Sequence, residues 1–204
     1  MPLITLLEQP HYRAGVWKIE EEPSFFDCAD EVNHIRHPQK RLQWYAARHV
    51  AGVLSVNISD IHNDEYGKPY IPGSQLQISL THTAHYAAAI VSETHRVGID
   101  LEWVHPRVQR VAHKFLTAEE IAAINRDEFT EKLIVYWSAK ESLYKLYGRK
   151  GISFTSQLQV QPFDLDQKGK LIAAIKTADV MWDNLEVEYR FIYDHVLTYV
   201  CRIM

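Results

Sequence analysis

The stretch "RVGIDLEWVHP", residues 96–106, decides how the chain is read. Val97, Ile99 and Leu101 alternate with Gly98, Asp100 and Glu102, and a period of two predicts a strand with the three aliphatic side chains turned inward. Side chains two apart on a strand point the same way, so Asp100 and Glu102 share the opposite face with Cα atoms roughly 6–7 Å apart. Either that face is solvated and the acids are bystanders, or they face something cationic. The spacing suits two ligands of one hard cation.

Working outward, "LQISLTHTAHYAAAIVS" (76–92) reads as two short strands around a polar centre at Thr81, His82 and Thr83, and "EYGKPYIPG" (65–73) supplies turn residues. The segment 38–54 predicts a helix, with Pro38 at its first position and Leu42, Ala46, His49 and Val53 at helical spacing. Arg41, Tyr45 and Arg48 then fall on a different face. Downstream, Thr117 and Glu120 form a capping box that starts a second helix. A longer one over 130–148 is expected to be capped by Thr130 and stopped by Gly148. Segments 152–163 and 186–203 alternate as strands, with Val187, Tyr189, Phe191 and Tyr193 on one face. The class is α+β.

On the long helix Ile134, Trp137, Glu141 and Tyr144 follow a 3–4 spacing, which sets Glu141 in or beside an apolar stripe. A lone buried carboxylate is costly and needs a partner. Lys145, four residues on, would satisfy it as an ordinary helical ion pair of roughly 0.2–0.5 kcal/mol, with no function implied.

Composition narrows the classes. The 204 residues carry a net charge of -4, without the basic excess that nucleic-acid binders use against phosphate. The apolar patch at the N-terminus lacks a basic start, and no run approaches the ~18 apolar residues of a membrane span. Cys28 and Cys201 form no CxxC motif, so neither a disulfide scaffold nor a cysteine zinc site is suggested. His34/His37 and His82/His85 lack a completed zinc ligand set. The expectation is a cytoplasmic protein with no nucleic-acid or membrane partner.

Two segments in order, "VGIDLE" (97–102) and "YWSAKESLYKLYG" (136–148), resemble the signatures G-[IV]-D-x-E and [FW]-[ST]-x-K-E-[AS]-x-x-K of the 4'-phosphopantetheinyl transferases. "EYGKPYI" and "SLTHT" look like the Gly-Lys-Pro and Ser-His-Ser elements of the larger, two-lobed, surfactin-synthetase-activating type. Thr81 and Thr83 stand where serines are commoner, a change that keeps both hydroxyls.

The resemblance implies two similar α+β lobes, 1–95 and 96–204, forming a pseudo-twofold monomer with its active site in the cleft between them. It implies transfer of the phosphopantetheine arm of coenzyme A to a serine of an acyl or peptidyl carrier protein, releasing adenosine 3',5'-bisphosphate. Mg²⁺ would be held by Asp100, Glu102 and Glu141, and Glu141 would also accept the serine proton. Lys145 would stabilise or protonate phosphate, with Lys140 either near phosphate or exposed over an apolar flank. His82 and Thr81 would contact the pyrophosphate. Arg41 and Arg48, beside Lys40, would grip the 3'-phosphate, with Lys68 near the nucleotide. Lys114 with Phe115, and Arg149 with Lys150, are candidates for carrier docking. Two rivals are a magnesium-dependent hydrolase of coenzyme A-like pyrophosphates and a non-catalytic coenzyme A-binding module.

Overall fold

The computed structural model describes residues 3–22 and 35–204, so Cys28 and His34 lie outside the described residues. In chain order the elements are strands β1 (Leu3–Gln9) and β2 (Tyr12–Lys18), helix α1 (Pro38–Val53), a ribbon of β3 (His62–Asn63) and β4 (Pro69–Tyr70), and strands β5 (Gln77–His82), β6 (Tyr86–Ser92) and β7 (His95–Trp103). Helices α2 (Ala118–Ala122) and α3 (Phe129–Tyr147) follow, then β8 (Leu158–Val160), β9 (Lys168–Lys176), β10 (Met181–Ile192) and β11 (His195–Ile203). Two antiparallel sheets result, ordered β1-β2-β6-β5 and β7-β11-β10-β9-β8. The class is α+β, as the patterning predicts.

The layers follow from side-chain size. Strand β6 is buried along its whole length. Its residues Ala87, Ala89 and Val91 cluster with Ala47, Val50 and Ala51 of α1, while Ala88 and Ile90 cluster with Val97, Ile99 and Leu101 of β7 and with Leu197 and Tyr199 of β11. Small residues let a helix and a second sheet close on the same strand from both sides. Leu133, Leu143 and Leu146 of α3 cluster with Leu171, Val187 and Val200 on the far face of the five-stranded sheet. The order of layers is therefore α1, sheet, sheet, α3.

The inward set on β7 fixes its register. A slip of one residue would take three aliphatic side chains out from between the sheets and push Asp100 and Glu102 in among Ala88, Ile90 and Leu197, where a carboxylate has no partner. On the other face Gly98 lets α3 press onto the strand: a Cβ there would fall inside contact distance of the Ser142 carbonyl oxygen and 2.8 Å from the Leu146 nitrogen.

Several sequence expectations need correction. The buried face of α1 is Leu42, Tyr45, Ala46 and Val50, with Ala47, Arg48 and Ala51, not the Leu42–Val53 stripe. Facing a broad sheet, this helix buries a wide band rather than a narrow seam, and Val53 at its end is exposed. Thr130 is not the cap of α3; Glu128 occupies that position without a side-chain bond, and the Thr130 hydroxyl accepts from Gln109 Nε2 at 2.8 Å. Gly148 does end the helix, in the left-handed region at φ +74°. The capping box of α2 forms with both bonds present.

Of the strand read at 152–163 only Leu158–Val160 pairs, because Ser153 turns the backbone by bonding Gln157 through both main chain and side chain. Tyr193, assigned to a strand face, lies in the β10–β11 turn and is 78% exposed. Strands β1, β2 and β9 escaped the sequence reading.

Candidate active site

Asp100 is the hub. Strand β7 holds it beside β5, where the Ser79 hydroxyl accepts the Ile99 N–H at 3.2 Å and the Thr81 hydroxyl donates to Asp100 Oδ1 at 3.2 Å. From α3 the Ser138 hydroxyl donates to Asp100 Oδ2 at 2.9 Å. The Lys145 ammonium donates to Oδ1 at 2.8 Å and to the Ile99 carbonyl at 2.9 Å. Asp100 is only 4% exposed, so Asp100→Ala would strand two hydroxyls and an ammonium and unsettle the fold as well as the site.

Beneath it the hydroxyls of Ser138, Ser142 and Thr198 form a buried network, with Ser142 Oγ 2.6 Å from Thr198 Oγ1. Thr198 stands opposite Asp100 across the β7–β11 ladder. These residues were missed as site builders. Ser138 and Ser142 carried a signal, being four apart on one helix face, whereas Thr198 carried none.

Glu102 accepts from Trp137 Nε1 at 2.9 Å. Burial, then the nearby Asp100 charge, pushes its carboxyl up to about 7, with Glu141 adding to the effect and Trp137 opposing it. Glu141 makes no hydrogen bond or ion pair among the described residues. Burial and then Asp100 push it up to about 7 as well, against the pull of Lys145. The ion pair expected between Glu141 and Lys145 is absent, because the lysine turns to the less exposed Asp100.

Three carboxylates are thus neighbours, but among the described residues no group of three or more His, Cys, Asp and Glu side chains is gathered tightly enough to hold a metal ion as it stands. The donor set nevertheless fits a hard cation. It consists of carboxylate oxygens, and burial together with the Asp100 charge makes two of the three resist ionisation, a cost that a bound cation would relieve.

A stability prediction follows for the ligand-free protein. Both glutamates have folded pKa values above their unfolded ones, so the folded state holds more protons between about pH 4.5 and 7, and their contribution is lost as pH rises through that window. Thermal midpoints should fall across it, less so in Glu141→Gln, and added Mg²⁺ should raise the midpoint at pH 8 but not at pH 5. Equal Mg²⁺ effects at both pH values would contradict this.

The cleft beside the acids has a volume of about 210 Å³ and is lined from both halves of the chain, by Lys68, Ser79 and Leu80 on one side and Glu141, Lys145 and Arg149 on the other. Asp64 Oδ1 accepts the backbone N–H groups of Tyr66 and Lys68, which fixes the Gly-Lys-Pro turn. Lys68 Nζ donates to the Leu146 carbonyl at 3.4 Å. Burial and then Arg96 lower its pKa, with Asp64 opposing.

His82 ends β5 at the surface, outside that lining. Partial desolvation, then the positive charges of Lys145 and Arg48, lower its pKa. Arg48 is buried, stacked 3.4 Å over the Trp44 ring, with Nη2 donating to Asn63 Oδ1 at 3.4 Å. Arg41 is half-buried and Lys40 exposed. Thr81, expected on the pyrophosphate, directs its hydroxyl at Asp100.

Lys140 departs furthest from expectation. It is 0% exposed and donates to the carbonyls of Phe115 at 2.6 Å and Phe154 at 2.9 Å, with Glu120 Oε1 at 3.8 Å. That ammonium is engaged outside the cleft lining and is not an exposed lysine over an apolar flank; desolvation brings it down to about 8 against the pull of Glu120. Phe115 is also fully buried, packed at a tilt against Trp137, and cannot dock a partner. Lys140→Ala should leave two carbonyls unpaired and a void, costing about 3 kcal/mol in urea denaturation.

Residues 96–200 match the profile of the 4'-phosphopantetheinyl transferase superfamily. The chain is 33% identical over 93 residues to a 4'-phosphopantetheinyl transferase of Bacillus subtilis, an alignment covering 44% of this chain and 41% of that protein. It is 27% identical over 186 residues to the 4'-phosphopantetheinyl transferase HetI of Nostoc sp., covering 78% and 77%. To the 4'-phosphopantetheinyl transferase Sfp of Bacillus subtilis it is 33% identical over 101 residues, covering 47% and 44%. The matched region spans less than half the length of the two Bacillus relatives and about three quarters of HetI.

Proposed function

Because the chain belongs to the 4'-phosphopantetheinyl transferase superfamily, we propose that it transfers the phosphopantetheine arm of coenzyme A to a serine of an acyl or peptidyl carrier protein, releasing adenosine 3',5'-bisphosphate. The observation that carries this reading is the gathering of Asp100, Glu102 and Glu141 around Lys145, of which Glu141 and Lys145 line a cleft that both halves of the chain share.

On this reading Asp100, Glu102 and Glu141 hold Mg²⁺, which when bound neutralises charge on the pyrophosphate. Asp100 is aimed by Ser138, Thr81 and Lys145. Glu141 accepts the proton of the carrier serine as general base. Lys145 and His82 donate to phosphate oxygens, and Lys68 and Arg48 add positive charge on the nucleotide side. Residues 1–95 then serve chiefly coenzyme A and residues 96–204 the chemistry, in a cytoplasmic monomer. No described helix is long and apolar enough to cross a membrane.

The test is the intact mass of an apo carrier protein after incubation with this protein, coenzyme A and Mg²⁺, with an EDTA control. A metal-dependent gain of about 340 Da, one arm transferred by attack of a serine on the phosphoryl group, is the expected result. Cleavage of coenzyme A without a carrier would favour the hydrolase; binding without cleavage would favour the non-catalytic module.

A further inference from the structure

Thr83, the last residue of the "SLTHT" element, has no role in the site as built so far. Its hydroxyl oxygen accepts the backbone N–H groups of Tyr86 at 3.1 Å and His85 at 3.3 Å, and lies 3.1 Å from His195 Nε2 on β11. His195 Nδ1 is 2.8 Å from Asp194 Oδ1. The imidazole is 1% exposed and packs edge-on against the Tyr86 ring, with centroids 4.6 Å apart.

Hydroxyl, imidazole and carboxylate in this order resemble a nucleophile triad, but the bonds exclude that use. A hydroxyl oxygen has two lone pairs and one proton. Here two N–H groups take the lone pairs, which leaves none to attack with. The proton goes to His195 Nε2, the nearer acceptor, since the alternative, the Tyr86 carbonyl, is 3.5 Å away and already accepts the Thr83 N–H at 2.7 Å. Burial holds His195 below the ordinary histidine value although Asp194 pulls the other way. A neutral ring with Nδ1–H on Asp194 and Nε2 open to Thr83 satisfies every atom.

The three-residue turn 83–85 joins His82 at the end of β5 to Tyr86 at the start of β6, and the His85 carbonyl also accepts the Ile19 N–H at 2.8 Å. The turn that aims His82 is therefore bolted to the second sheet through one hydroxyl. We propose that Thr83, held by His195 and Asp194, is a positioning residue that sets the orientation of His82 toward the anionic substrate. This rests on the coenzyme A reading of the site.

Thr83→Val keeps the shape and removes the hydroxyl, and Thr83→Ser keeps the hydroxyl. Thr83→Val should raise KM for coenzyme A about tenfold while kcat stays within about twofold, the signature of lost substrate positioning. Thr83→Ser should restore KM, and Asp194→Asn, at an exposed position, should shift it in the same direction by a smaller factor. The second readout is the pair of His82 imidazole C–H signals by NMR, which should move in ligand-free Thr83→Val and return in Thr83→Ser. A Thr83→Val protein with wild-type KM and unmoved His82 signals overturns the proposal, even if its thermal midpoint falls. Should the wild-type protein label no carrier and show no response to coenzyme A, the transferase reading fails, and the ligand-free His82 signals still decide the positioning role.

Discussion

Gly98→Ala is expected to deprive the chain of its folded state at 37 °C. The added methyl has nowhere to go: its neighbours are the Ser142 carbonyl and the Leu146 nitrogen of α3, backbone atoms that cannot rotate aside as a side chain can. To make room α3 must lift from β7, and lifting it breaks the Ser138 and Lys145 bonds to Asp100 and loosens the Leu143 and Leu146 packing together. Overpacking of a tight core costs about 1–3 kcal/mol and occasionally more, and a backbone clash with loss of a buried charge pair belongs at the top of that range or beyond. Against a typical total of about 5–15 kcal/mol this leaves little margin. Soluble yield and the urea midpoint are the measurements. A variant within about 1 kcal/mol of wild type would show that the helix moves off the strand cheaply.

Glu141→Gln should reduce carrier labelling by about 10²–10⁴-fold, the range of a lost general base, without loss of stability. The amide keeps the volume and cannot ionise. At pH 8 the wild-type carboxylate is ionised against desolvation and the Asp100 charge, so its neutral replacement should be at least as stable in the ligand-free protein. Low activity with an undiminished thermal midpoint separates a chemical role from a structural one. Activity within about threefold of wild type would remove Glu141 from the proton transfer and leave it at most a binding residue.

Much of the scaffold was legible because it is local. The alternation in 96–103, the Thr117 capping box and the glycine stop at Gly148 each reflect interactions within a few residues, and the structure shows all three. Strands β1 and β9 were not legible: Leu3–Gln9 and Lys168–Lys176 become strands through partners supplied by β2 and β10, and their own patterns are weak.

Lys140 and Lys145 show where sequence stops. At 3.6 residues per turn, five positions separate side chains by about 140° around the helix, so the two must face different surroundings, and the motif alone does not say which surroundings are which. Packing assigns Lys140 to the carbonyls of Phe115 and Phe154 and Lys145 to Asp100. In the same way the sequence by itself determined that Asp100 and Glu102 share a strand face and that Glu141 lies on a helix stripe. Only the tertiary structure decided that these faces meet, that Thr81 serves Asp100, and that Thr83 reaches His195 across 112 positions. Spacing along a helix or strand is fixed by backbone geometry, whereas contacts between distant segments depend on how closely side-chain volumes let the layers approach, and here Gly98 and the alanines of β6 set that distance.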